Sequence, residues 1–489
     1  MSIKIFDTLT AKTSEFTPLK ENEVKMYVCG VTVYDDCHLG HARAAICFDI
    51  IRKYFEFKGN KVTMVVNFTD VDDKIINRAK LENVAALEIS SRYIDKYFRD
   101  MDALKIKRAT IYPKATEHIE HIIKFVESLI EKGFAYEVNG EVYFEVSKFS
   151  DYGKLSKRNL DDMLAGARIA IDERLKSPHD FCLWKAAKPG EISWKSPWAE
   201  GRPGWHIECS AMSGHYLGDT FDIHGGGLDL TFPHHENEIA QSEAKTGKPF
   251  AMYWMHNGLV NINSEKMSKS LGNFFTISAL LEKFSPFVIR YFILSNHYRS
   301  PINFTIEKMQ ELEKSLGTLV KFMKRMKGFT GALPAVGAAE LKNKRGGIKS
   351  EVLDEADAFE ARFNEFMEND FNTAGAIGAM FQYISIFNSR FAGEFDNKSE
   401  AAAYVYGVFM RYIELLAIAD NDFITAENEG IADTGGLAEA LIGVLIKVRS
   451  TLKAEKNYKM ADFVRDEIKS AGVVLEDTKE GTKFHIEKK

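Results

Sequence analysis

The feature that most narrows the fold is a change of hydrophobic period across a two-histidine turn. Met26-Tyr27-Val28-Cys29-Gly30-Val31-Thr32-Val33 is almost wholly apolar and reads as a buried strand. Downstream, Ile46, Ile50 and Tyr54 recur four apart beside Phe48 and Ile51, which predicts a helix starting near Gly40 or His41. Between the two lies His38-Leu39-Gly40-His41. A strand, a tight turn and a helix start aim unpaired backbone N–H groups and the positive end of a helix dipole at one spot, which favours an anion. Gly40 lets a ligand approach the backbone closely, and His38 and His41 can donate hydrogen bonds to phosphate without a permanent charge. On its own, a string of this kind is more often a surface turn with solvated histidines.

A second string gives the first its meaning. Lys266-Met267-Ser268-Lys269-Ser270 follows the apolar segment Met252 to Ile262, read as another strand, and precedes Leu271-Gly272-Asn273. Its lysines are mobile point charges able to neutralise a departing pyrophosphate; alone, the pentapeptide would pass for a solvated basic loop. In this order and at this separation, the two strings resemble the nucleotide-handling motifs of class I aminoacyl-tRNA synthetases. That resemblance implies ATP as a substrate.

The remaining polar residues form a third group. Cys29 sits in the first strand, Cys209 lies in Gly204-Trp205-His206-Ile207-Glu208-Cys209-Ser210, and His234 and Glu238 stand four apart in a stretch, His234 to Lys245, read as a helix opening after Pro233. That spacing puts both on one helix face. Two thiolates, an imidazole and a carboxylate make a tetrahedral zinc set. The spacing is not that of a zinc finger, so two buried cysteines and a surface helix remain the alternative. His235-Glu236 does not open a metalloprotease HExxH motif, because Ile239 stands where the second histidine would be.

Four longer stretches carry the resemblance further: Tyr27 to Asp35, Asn67-Phe68-Thr69-Asp70-Val71-Asp72-Asp73-Lys74-Ile75, Gly201 to Met212, and His224 through Glu238. On these the chain resembles the cysteinyl-tRNA synthetases along essentially its whole length. Leu39 replaces the family's usual isoleucine, a small change between similar side chains. The resemblance implies that Cys29, Cys209, His234 and Glu238 hold one zinc ion, which binds the substrate's own sulfur. Serine differs from cysteine by one atom, which a hydrophobic pocket separates poorly, whereas a thiolate is a far better zinc ligand than a hydroxyl. No editing domain is then necessary. Thr32, Thr69 and Trp205 match residues that position the amino acid, and Gly40, Asp229 and Lys269 match ATP contacts, Asp229 at the ribose. The run Gly225-Gly226-Gly227 is a weak signal by itself. His206, His224 and His235 are either supports around the zinc or structural histidines.

The implied reaction has two steps. The carboxylate of L-cysteine attacks the α-phosphate of Mg2+-bound ATP, and a terminal ribose hydroxyl of tRNA(Cys) then attacks the adenylate carbonyl. His38, His41, Lys266 and Lys269 would stabilise phosphate charge, and no protein general base is assigned.

The fold expected is α/β: a Rossmann-like parallel-sheet catalytic domain of the class I synthetase type with an insertion, followed by an all-α bundle and a small mixed C-terminal domain. The boundaries expected are 1–104 for the first half of the catalytic domain, 105–200 for the insertion, 201–262 for the second half, 263–327 for the lysine loop and a linking helical segment, 328–420 for a linker and the helical anticodon-side domain, and 421–489 for a linker and a small anticodon-reading domain. Asn139-Gly140 between alternating apolar residues predicts a hairpin in the insertion.

No apolar run is long enough to span a membrane, the N-terminal residues show no signal or transit pattern, and five cysteines in 489 residues argue against a disulfide framework and for a cytoplasmic protein. A monomer is the favoured state. Net charge is −6, but steering depends on local field. Lys105 to Arg108 with Lys114, Lys321 to Lys327, and Lys447 to Lys459 are candidate tRNA contacts, or simply solvated helix faces. Two rivals stand beside the synthetase. One is a ligase passing activated cysteine to an amino sugar, against which the long tail argues. The other is a silent RNA- or zinc-binding paralogue, against which the two intact strings argue.

Overall fold

A computed structural model describes residues 2–158, 174–263, 265–266, 274–330, 350–391, 400–426, 434–454, 457–470, 473–478 and 481–486. The chain divides into a unit of Met1–Ile424 and a unit of Thr425–Lys489.

The first unit opens with the hairpin β1 (Lys4–Asp7) and β2 (Lys12–Glu15), then β3 (Glu23–Thr32), α1 (Leu39–Phe57), β4 (Lys61–Thr69), α2 (Asp73–Glu82) and α3 (Ala86–Ala103). A segment of α4 (Ile119–Glu131), β5 (Ala135–Val138), β6 (Glu141–Phe144), β7 (Phe181–Ala186) and β8 (Gly201–Pro203) follows. Strands β5 to β8 form their own antiparallel sheet. Its first turn has Asn139 and Gly140 both at positive φ, the backbone that a two-residue hairpin needs to match strand twist.

The chain then returns through α5 (Trp205–Leu217), β9 (Phe221–Gly227), α6 (Glu236–Thr246) and β10 (Ala251–Asn257). Strands β10, β9, β3 and β4, in that spatial order, make the parallel sheet that carries the site. Buried on both faces, β3 and β4 are near-continuous apolar runs, as a covered parallel sheet requires. Their pairing slips between Val28 and Val31. At the slip, Gly30 N–H donates to Asn67 Oδ1 at 2.8 Å, and a Cβ on Gly30 would lie 1.7 Å from the Asn67 carbonyl oxygen, so no other residue fits.

Two expectations shift. The apolar run Met252 to Ile262 is not one strand. It breaks at Gly258 into β10 and β11 (Val260–Ile262), and β11 leaves the main sheet to pair in parallel with β13 (Ile302–Phe304). Gly258 N–H bonds the Tyr298 carbonyl at 2.8 Å, and its Cα faces the Arg299 and Ser300 carbonyls at a distance that excludes a side chain. The buried Arg43 guanidinium clamps the crossing by donating to the carbonyls of Leu259 (2.6 Å), Tyr298 (3.0 Å) and Ser300. Second, α6 begins at Glu236, while His234 lies in an irregular turn that follows an extended Phe232.

Strand β12 (Glu265–Lys266) pairs with β11. After α7 (Pro286–Leu294) and β13 come the long α8 (Ile306–Thr330), α9 (Ser350–Glu368), α10 (Thr373–Arg390) and α11 (Glu400–Leu416), a bundle whose aromatic core includes Phe322, Phe359, Tyr383 and Phe409. Asp370 ties it to the catalytic region. Its carboxylate accepts from Phe6 N–H at 2.9 Å, Tyr298 Oη at 2.8 Å and Arg299 Nε at 2.7 Å. The second unit holds α12 (Thr434–Ala454), α13 (Tyr458–Ser470) and the hairpin β14 (Val473–Thr478) and β15 (Gly481–Ile486), around Ile442, Ile468, Val473 and Leu475. Among the described residues, no helix is long and apolar enough to cross a membrane.

Candidate active site and metal centre

A cleft of about 440 Å³ opens at the carboxyl ends of the parallel strands. It is lined by Cys29, Thr32, His38, Gly40, His41, Trp205 and Asp229, among others.

His38 caps α1 with its side chain. Its Nδ1 accepts from the backbone N–H of Gly40 (3.1 Å) and His41 (3.3 Å), and His41 Nδ1 accepts from His38 N–H at 3.4 Å. The two rings stack at 3.7 Å. This is a reciprocal capping box built from imidazoles. Its chemical consequence is the tautomer: with both Nδ1 atoms accepting, each neutral ring carries its proton on Nε2.

The segment that follows residue 273 pairs with the same turn. Leu39 N–H donates to the Phe275 carbonyl at 3.1 Å and Ile277 N–H to the Cys37 carbonyl at 2.9 Å. The backbone of Lys266 is fixed at the other end by β11. The chain on either side of 267–273 is thus anchored, once to β11 and once to the HLGH turn. Lys269 itself lies outside the described residues.

Cys29, Cys209, His234 and Glu238 converge, with one donor atom from each lying within 4.8 Å of the others. Cys29 Sγ is 3.7 Å from Cys209 Sγ and 3.4 Å from Glu238 Oε1; His234 Nε2 is 3.7 Å from Cys209 Sγ and 3.1 Å from Glu238 Oε1. Tetrahedral zinc bond lengths give donor separations of about 3.8 Å for two sulfurs, about 3.6 Å for sulfur with nitrogen or oxygen, and about 3.4 Å for nitrogen with oxygen. The residues fit a zinc-sized cation.

A second grouping, Cys29, His224, His235 and Glu238, also lies close. Its spacing is that of hydrogen bonds: His224 Nε2 to Glu238 Oε2 is 2.8 Å and His235 Nε2 to Cys29 Sγ is 3.3 Å. His206 Nδ1 lies 2.9 Å from His234 Nδ1. His206, His224 and His235 therefore each touch one member of the first set. His235 Nδ1 is in turn 2.8 Å from His256 Nε2, and His256 Nδ1 is 2.9 Å from Thr8 Oγ1. Nothing in the sequence pointed to His256 or Thr8, because this chain joins strand β10 to the turn after β1.

Burial sets the charge state. It pushes the Cys29 and Cys209 thiols up and His234 and His235 down, and it takes His206 down to about 4 and His256 to about 3. The imidazoles are neutral and able to coordinate. A divalent cation would reverse the penalty on the thiolates.

Trp205, at the start of α5, stacks on His234 at 4.2 Å and remains 40% exposed to the cleft. Thr32 and Thr69 are register partners at the ends of β3 and β4. Thr69 is buried, and its hydroxyl donates to Glu208 Oε2 at 2.7 Å. Asp229 sits in the turn after the glycine run and lines the same cleft as the histidines.

The parallel sheet, the HLGH cap and the KMSKS sequence are those of a class I tRNA synthetase. Residues 15–314 match the model described as tRNA synthetases class I (C) catalytic domain, and residues 362–417 match the DALR domain. A methionyl-tRNA synthetase of Mycobacterium tuberculosis shares the fold with TM-score 0.58 and 14% identity, covering 81% of this chain and 90% of its own. A leucyl-tRNA synthetase of Agrobacterium radiobacter does so with TM-score 0.57 and 11% identity, covering 84% and 87%. Two cysteine--tRNA ligases match throughout: that of Carboxydothermus hydrogenoformans at 49% identity, covering 99% of both chains, and that of Thermococcus onnurineus at 48%, covering 99% of this chain and 98% of its own. The chain belongs to the cysteine--tRNA ligase family.

Proposed function

We propose that this chain activates L-cysteine with Mg2+-bound ATP and transfers it to tRNA(Cys), selecting the amino acid through a zinc ion held by Cys29, Cys209, His234 and Glu238. The observation that carries the reading is the tetrahedral spacing of those four donors, one of which, Cys29, lines the cleft that also holds His38 and His41. When bound, zinc supplies a Lewis acid that prefers a substrate thiolate to a hydroxyl. The protein's own contribution is positional and electrostatic. His206, His224 and His235 fix the orientations of His234, Glu238 and Cys29 through their hydrogen bonds. Thr32, Thr69 and Trp205 orient the amino acid, with the Thr69 hydroxyl held by Glu208. Gly40 and Asp229 receive the nucleotide, Asp229 at the ribose, and Nε2–H of His38 and His41 meets the developing phosphate charge. Lys266 and Lys269 cover the triphosphate and follow the departing pyrophosphate.

The helical region 328–420 and the unit beyond it serve the anticodon side of the tRNA. The full-length match to ligases of this family favours this reading over a sugar-directed ligase. None of the five cysteines is in a disulfide, which supports a reducing, cytoplasmic setting. Cysteine-dependent exchange of labelled pyrophosphate into ATP, together with metal analysis of the same sample, tests the reading. Exchange with about one zinc per chain is expected; a metal-free chain that exchanges normally would overturn the zinc assignment.

A further inference from the structure

We propose that Lys74 is a phosphate-binding residue of the active cleft, and that the phosphate it takes belongs to the 3′ end of the tRNA rather than to ATP. This rests on the synthetase reading above.

Lys74 lies in the first turn of α2, just past the carboxyl end of β4. Its side chain lines the same cleft as His38, His41, Trp205 and Asp229. The ammonium stands 5.4 Å from the centre of the Tyr34 ring, a contact that restrains a cation without neutralising it. No carboxylate pairs with Lys74 among the described residues. The adjacent acid is already engaged: Asp73 binds Arg202 at 2.5 Å and Lys185 at 2.9 Å. Lys74 is therefore an exposed cation at the edge of a reaction cleft; of its two flanking acids, Asp73 is committed to two other cations and Asp72 caps the helix, accepting the backbone N–H of Lys74 at 2.8 Å.

Sheet order says which phosphate it meets. Across the carboxyl edge the strands run β10, β9, β3, β4. Leu259 and Val260 follow β10, Asp229 follows β9, and the HLGH turn follows β3; all line the cleft. A nucleotide with its ribose at Asp229 and its phosphates at His38 and His41 occupies the β10-to-β3 side. Lys74 follows β4, on the opposite flank, beside the β7–β8 cations Lys185 and Arg202. The strand that brings a ribose hydroxyl to the adenylate has that flank left to enter by, and it carries one negative phosphodiester per nucleotide.

The test is Lys74→Ala in the full chain, measured with and without tRNA. Because Lys74 is exposed, the variant should fold. Cysteine-dependent pyrophosphate exchange should stay within about twofold of the unaltered protein. The kcat/KM for tRNA charging should fall roughly tenfold or more, as expected for losing one hydrogen bond to a charged group. Its dependence on salt, on logarithmic axes, should become shallower by about 0.7, the loss of one single-strand phosphate contact. Lys74→Arg should restore most of the charging. Equal losses in exchange and charging would assign the phosphate to ATP and overturn the proposal. Unchanged charging would remove Lys74 from phosphate binding altogether.

Discussion

The Nδ1 lone pair of His38 holds the first turn of its own helix, which leaves the ring proton of the neutral form on Nε2. Two substitutions separate these roles. His38→Ala loses the cap, about 1 kcal/mol of stability in denaturant titration, and slows adenylate formation. His38→Asn keeps a cap acceptor, so stability should return while the rate does not; recovery of both would remove His38 from phosphate stabilisation. At the metal site, Cys209→Ser should lower bound zinc and cysteine activation together. A variant with full metal content and normal exchange would show that Cys209 is not a donor. The four residues of the proposed zinc set could be picked out as residue types and through a family resemblance, but spacing alone could not have assembled them. They come from β3, α5, the turn before α6 and α6, and only the folded sheet brings them together. The hydrogen-bonded chain from Thr8 through His256 to His235 gave no local signal for the same reason.

Among elements, the passage from β3 to α1 was legible because a switch of hydrophobic period survives any tertiary context. The division of Met252–Ile262 was not. Every local signal favours one strand, and the break comes from carbonyls of residues 298–300 crowding Gly258, with Arg43 clamping the crossing. Strand β15 carries no such signal, because its polar alternation has no apolar run to mark it. The close approach of β3 and β4 makes its own prediction. Gly30→Ala would force a Cβ into the Asn67 carbonyl, parting the strands beside Cys29. A destabilisation above about 3 kcal/mol is expected, read as a shift of the denaturant midpoint. A stable, active Gly30→Ala protein would mean that the slip between Val28 and Val31 is not needed for the site.

For the whole molecule, the two units suggest a division of labour. The cleft, the four donors and Lys74 all lie within Met1–Ile424. A chain ending at Ile424 should retain pyrophosphate exchange and lose charging efficiency; undiminished charging would free the second unit, Thr425–Lys489, of any role in tRNA recognition. Of the basic stretches, the first is largely neutralised within the fold. Lys105, Lys107, Arg108 and Lys114 pair with Asp420, Glu56, Asp102 and Glu117. Composition could not show this, because it counts charges without their partners.

In the proposed function a metal distinguishes sulfur from oxygen. It is tested most directly by comparing cysteine- and serine-dependent pyrophosphate exchange in native, chelator-stripped and zinc-restored protein. Stripping should abolish cysteine activation together with the preference over serine, and zinc should restore both. A stripped protein that still activates cysteine with undiminished preference would contradict the account.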